Sequence, residues 1–137
     1  MILRPLAAGK HITIEAQLVR VARIELDRER IYQVLSNLVG NAIKFTPHGG
    51  TVTVRTDAER DELLFTVKDT GPGVAADQLP HVFDRYWQAG HKRRHGSGLG
   101  LYIAKGIVEA HGGRIWVEPS SAGGACFRFI LPMPPRD

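Results

Sequence analysis

Four polar side chains recur at helical spacing inside residues 28–45: Gln33, Asn37, Asn41 and Lys44, separated by four, four and three positions. On an α-helix they share one side. Asparagine is a poor helix former, yet two stand in mid-segment. An amide oxygen is a good Mg²⁺ ligand, and a lysine farther along the stripe can meet a phosphate. The same stripe also reads as an ordinary solvent-facing surface, and spacing alone leaves both readings open.

Two further segments carry chemistry. Asp69-Thr70-Gly71-Pro72-Gly73 sets an acid at a strand end before two glycines. It reads as a turn, or as a carboxylate that accepts from a donor such as the adenine amino group, with glycines letting the backbone pass close to a flat base. Gly96-Ser97-Gly98-Leu99-Gly100-Leu101 opens a helix. Backbone N–H groups at a glycine-rich helix start hold phosphates, aided by the helix dipole. No strand immediately precedes this run, which sets it apart from the dinucleotide-binding fingerprint.

The elements that must position these residues follow from periodicity. Asp27 suits a helix N-cap, with Glu29 in the first turn. Ile31, Val34, Leu35, Leu38, Ala42 and Phe45 form an apolar stripe, about a third of a turn from the polar one, which predicts a helix over 28–45. Pro47, Gly49 and Gly50 end it. Strands are expected around Ile12 and Ile14, over 19–24, over 51–56 and over 63–68, with the charged turn 58–62 closing a hairpin. A short helix is expected over 80–86 and a long one over 98–111, stopped by Gly112-Gly113. Ile115 and Val117, then Phe127, Phe129 and Leu131, mark two last strands. The order predicts an α/β (α+β) two-layer sandwich, one mixed sheet with helices on one face.

Composition narrows the class. The chain has 137 residues, enough for one domain, with 43% hydrophobic and 23% charged residues, as in ordinary folded proteins. No run approaches the roughly 18 apolar residues of a membrane span, and the first residues are too poor in apolar side chains for a signal peptide. Cys126 is the single cysteine, which precludes an internal disulfide and agrees with a cytoplasmic setting. A net charge of +4 is mild for a nucleic-acid binder. Its one dense cluster, His91-Lys92-Arg93-Arg94-His95, reads as a solvated loop, and a DNA-binding role would rest on it alone.

Taken in order, the motifs resemble those of sensor histidine kinases. Gln33-Val34-Leu35-Ser36-Asn37-Leu38-Val39-Gly40-Asn41-Ala42-Ile43-Lys44-Phe45-Thr46 resembles their N box, and Asp69-Thr70-Gly71-Pro72-Gly73-Val74 their G1 box. Val82-Phe83-Asp84-Arg85-Tyr86-Trp87 resembles the F box, and Gly96–Leu101 the G2 box. His111-Gly112-Gly113 and Phe127-Arg128-Phe129-Ile130-Leu131-Pro132 complete a likeness over residues 8–132.

The resemblance implies the Bergerat (GHKL) ATP-binding fold, with ATP and Mg²⁺ as cofactors. It implies Asn41 as the Mg²⁺ ligand, Asn37 beside metal and phosphates, and Lys44 on a phosphate. Asn41 and Lys44 would thus be the catalytic residues. Asp69 would bind the adenine amino group, with Gly71 and Gly73 lining the base. Arg85, Tyr86, Gly96, Ser97, Gly98, Leu99 and Gly100 would complete the nucleotide site. The basic stretch 88–96 would be a mobile lid that closes on the phosphates.

The implied organisation is a lead-in over 1–10, an ATP-binding domain over 11–132 and a tail over 133–137. The phosphoacceptor helix is absent from the sequence. His11, His48, His81, His91, His95 and His111 all lack its motif. The implied partners are a separate dimerisation domain carrying the acceptor histidine, and then a response regulator. The domain alone is expected to be monomeric, with no nucleic-acid partner and no membrane insertion. Other readings are an anti-sigma-factor serine kinase of the same superfamily and a nucleotide-sensing module without catalysis.

Overall fold

In a computed structural model the described residues are 13–17, 28–85, 87, 99–119 and 123–132. The expected strand over 19–24, the lead-in 1–10, the basic stretch 88–96 and the tail 133–137 lie outside them.

A short strand β1 (Thr13–Gln17) precedes helix α1 (Arg28–Phe45), whose bounds match the expected ones. Strands β2 (Thr51–Glu59) and β3 (Glu62–Asp69) form a hairpin. Helix α2 (Gly100–Ala110) leads into β4 (Arg114–Pro119) and β5 (Ala125–Pro132). The sheet runs β1-β2-β3-β5-β4. β1 pairs parallel with β2, and every other pairing is antiparallel. Both helices pack on one face, so the molecule is the expected two-layer sandwich.

Alternation along the strands sorts side chains between core and solvent. On β3, Leu63, Phe65, Val67 and Asp69 are buried while the residues between them are not. Across the sheet Phe65 opposes Phe129, and the two rings stack at 4.4 Å. Phe83 meets Phe127 edge-on at 6.0 Å. Ile31, Val34, Leu38 and Ala42 of the α1 stripe are buried, and Leu35 packs against the core. Val39 and Ile43, outside the expected stripe, are buried too. The reason is that α1 contacts both the sheet and α2, so two of its faces are covered. Periodicity against one layer reveals only one of them.

Two expectations change in detail. The hairpin strands extend to Glu59 and restart at Glu62, leaving a two-residue turn at Arg60 and Asp61, with Arg60 at φ 55°. The short helix over 80–86 is instead a single 3₁₀ turn, Leu79–His81. Its backbone continues through three-residue steps, His81 N–H to Gln78 O, Asp84 N–H to His81 O and Trp87 N–H to Asp84 O.

Candidate nucleotide-binding site

Asp69 closes the inward series of β3, so period-two geometry carries a carboxylate to the rim of the apolar core. Its residue surface is 5% exposed. One oxygen, Oδ1, accepts the Gly71 N–H at 2.8 Å and the Ala125 N–H at 3.3 Å. Among the described residues nothing donates to Oδ2. Burial raises the carboxyl above its ordinary value, and the two backbone hydrogen bonds oppose that shift. The arrangement fixes the carboxylate through one oxygen and leaves the other for an external donor.

The glycines after Asp69 are required by space. A Cβ on Gly71 would lie 2.8 Å from the carbonyl oxygen of Phe45, at the end of α1. Gly73 has φ +79°, and a Cβ there would lie 2.9 Å from the Gly124 carbonyl. The loop is thereby pinned between the C-terminal end of α1 and the start of β5. Gly124 itself, at φ +82°, faces Asp69 so closely that a Cβ would overlap the Asp69 carbonyl oxygen.

Gly124 and the Ala125 amide therefore hold Asp69 in place, a contact that the sequence did not signal. They stand 55 and 56 residues from Asp69, and the only local signal was a glycine pair before a strand.

The polar stripe of α1 meets α2. The Asn37 side-chain N–H donates to the Gly100 carbonyl at 3.0 Å, across 63 residues of sequence. Its Oδ1 accepts from no described residue. Asn41 is half-buried, and its amide bonds to no described residue. Lys44 is exposed, and Gln33 accepts from Arg30 at 3.2 Å. Leu99 is the N-cap of α2 and supplies no side-chain capping bond.

The structure thus brings Asn37 to Gly100, and Asp69 to Gly71 and Ala125, at two points along α1. Gly96, Ser97, Gly98 and Tyr86 lie outside the described residues. Arg85 turns to Tyr102 of α2, with its guanidinium 5.2 Å from the ring centroid and a hydrogen bond of 3.3 Å to the hydroxyl.

Among the described residues no three His, Cys, Asp or Glu side chains cluster as a metal site. The candidate ligands are amides, which suits an ion held mainly by substrate phosphates and water, as Mg²⁺ is.

A mixed sheet with two helices on one face, a strand-end carboxylate and an amide-bearing helix define a Bergerat-type ATP-binding domain. A family model for histidine kinase-, DNA gyrase B- and HSP90-like ATPases matches residues 26–135. The chain belongs to that family.

Within it the similarity is to sensor histidine kinases. Sensor histidine kinase WalK of Bacillus subtilis is 43% identical over 114 residues, covering 80% of this chain and 19% of WalK. Full-length ShkA, solved with AMPPNP, superposes with a TM-score of 0.86 at 34% identity, over 98% of this chain and 28% of ShkA. The catalytic domain of histidine kinase ThkA gives 0.85 at 30% identity, over 96% of this chain and 86% of that one. ThkA in complex with the response regulator protein TrrA gives 0.81 at 28% identity, over 97% of this chain and 37% of that one. The chain spans between 13% and 28% of the curated relatives it matches.

Proposed function

We propose that this chain binds Mg–ATP as the catalytic domain of a sensor histidine kinase and delivers the γ-phosphoryl group to a histidine on a separate dimerisation domain. The observation that carries the reading is Asp69: a buried carboxylate, clamped through Oδ1 by two backbone N–H groups, with Oδ2 left for the adenine amino group. Gly71 and Gly73 line the base. The Asn37 and Asn41 amides and Lys44 then lie on α1 toward the phosphates, which the first turn of α2 receives.

Mg²⁺ would neutralise charge on the phosphate oxygens, with Asn41 as its protein ligand and Asn37 beside it. Catalysis in this half of the enzyme is positioning plus charge neutralisation, and the chain's own groups hold and orient the triphosphate. Among the described residues no helix is long and apolar enough to cross a membrane. The domain is proposed to act in the cytoplasm as a monomer until it meets the dimerisation domain, with a response regulator as the later acceptor.

The test is reconstitution. The chain is mixed with the dimerisation domain of its own kinase and with ATP labelled on the γ-phosphate. Acid-labile, alkali-stable label on the added domain, dependent on Mg²⁺, is the expected result. Nucleotide binding without any transfer would favour a sensing module, and label on serine would favour the serine-kinase reading.

A further inference from the structure

The face of the sheet away from the helices holds a groove of about 520 Å³, lined by Thr53, Arg55, Asp57, Leu64, Thr66, Lys68, Cys126 and Arg128. Strand register sets its pattern. Thr66 is paired with Arg55 on one side and Arg128 on the other. Lys68, next on the same face, is paired with Thr53 and Cys126. Three cations thus surround Thr66, the two arginines two strand spacings apart, roughly 10 Å.

Donors outnumber acceptors here. Arg55 spends Nε and Nη2 on Asp57, at 2.9 and 3.2 Å. Arg128 spends Nε on Glu118 and on the Cys126 sulfur, both at 3.3 Å. That leaves Nη1 of Arg55, both Nη atoms of Arg128, the Lys68 ammonium and the hydroxyls of Thr53 and Thr66 without a partner among the described residues. Two carboxylates stand at the groove, Asp57 in its lining and Glu118 beside it, and each is already engaged by an arginine, which leaves the Lys68 charge unmatched among them. Such a surface calls for a ligand rich in acceptors and negative charge, and the spread of the cations calls for more than one anionic group.

We propose that this outer-face groove binds a small polyanion bearing two or more phosphate groups. Its size falls within the range of small-ligand sites. A protein partner fits less well, because interfaces centre on large apolar or aromatic anchors. The exposed large hydrophobic side chains among the described residues, Tyr32, Tyr102 and Ile103, all stand on the helices. The site is separate from the one formed by Asp69 and α1, and it does not depend on the nucleotide reading.

Residue-resolved NMR titration of the intact chain tests it, with tripolyphosphate as the probe and a hepta-glutamate peptide as the comparison. Saturable shifts centred on Thr53, Thr66, Lys68 and Arg128 are expected with tripolyphosphate, weakening as salt is raised. Lys68→Gln, alone and with Arg128→Gln, should weaken this binding by about tenfold or more, whereas Lys105→Gln on α2 should not. Shifts at Asp69, Gly71 and Ala125 on adding Mg–ADP report the nucleotide site, so failure of either reading is seen separately. Non-saturating shifts spread over all exposed cations, no loss in the Lys68→Gln variant, or saturable binding of the peptide alone would each overturn the proposal.

Discussion

At the scale of single residues, Asp69 concentrates the account. In Asp69→Asn the amide oxygen can still accept the Gly71 and Ala125 N–H groups, so the melting temperature should stay near that of the parent. The second position becomes an amide donor facing the adenine amino group. ADP and ATP affinity should both fall about ten- to a hundredfold, the effect of losing a charged hydrogen bond of roughly 1.5–3 kcal/mol. Calorimetric titration measures this, and weakening of ATP alone would mean that Asp69 does not read the base.

Acidity gives a second handle on the same group. Burial raises the Asp69 carboxyl above its ordinary value. Between the ordinary and the raised value the unfolded chain has lost its proton while the folded chain keeps it. The Asp69 contribution therefore makes stability fall as pH rises through that window and stay level above it. Nucleotide binding has the opposite sign, because the acceptor must be ionised, so affinity should rise through the folded value and then level off. Both slopes should disappear in Asp69→Asn, in melts and titrations run from about pH 4 to 7. For the metal, Asn41→Ala should keep the fold and remove the extra thermal stabilisation that Mg²⁺ adds to ATP. Unchanged Mg²⁺ dependence would exclude Asn41 as a ligand, and a collapsed melting temperature without nucleotide would make it structural.

At the scale of elements, the site is a meeting of α1, the loop after β3 and the start of β5. Gly123 and Gly124 separate two effects at that junction. Both have positive φ, but only Gly124 is crowded, against Asp69. Gly123→Ala should lose roughly 1–2 kcal/mol from left-handed strain. Gly124→Ala should lose more, and nucleotide affinity with it, because the new methyl displaces the backbone of Asp69. Denaturant melts and titrations of the pair check this. On the other side, Asn37→Ala removes the bond to Gly100 and should lower stability by about 0.5–1.5 kcal/mol.

Much of this was legible in the sequence, for physical reasons that vary by element. The bounds of α1 were readable because an apolar stripe and a Pro-Gly stop agree, while the expected N-cap Asp27 lies outside the described residues. Asp69 was readable as an acid at a strand end. That it continues the inward series of Leu63, Phe65 and Val67 explains why it is buried. The hairpin tip read as a loop because the charged residues of 57–62 show no alternation, yet cross-strand pairing holds Ala58 to Leu63 and Glu59 to Glu62. Gly124 and the Ala125 amide escaped because their role exists only when β5 lies beside β3. The pairing of Arg85 with Tyr102 escaped because it is set by how α2 packs.

At the scale of the whole molecule, the two layers divide the labour. In the proposed function the helices and the strand ends carry the nucleotide site, and the acceptor histidine is expected on another domain. The isolated chain should bind nucleotide without labelling itself, and acid-labile phosphate on the purified chain would reveal an acceptor of its own. The most direct measurement is calorimetric titration of the intact chain with AMPPNP, with and without Mg²⁺. Saturable one-to-one binding that Mg²⁺ strengthens and ADP displaces is the expected result. No saturable binding, or binding indifferent to both Mg²⁺ and competing ADP, would contradict it.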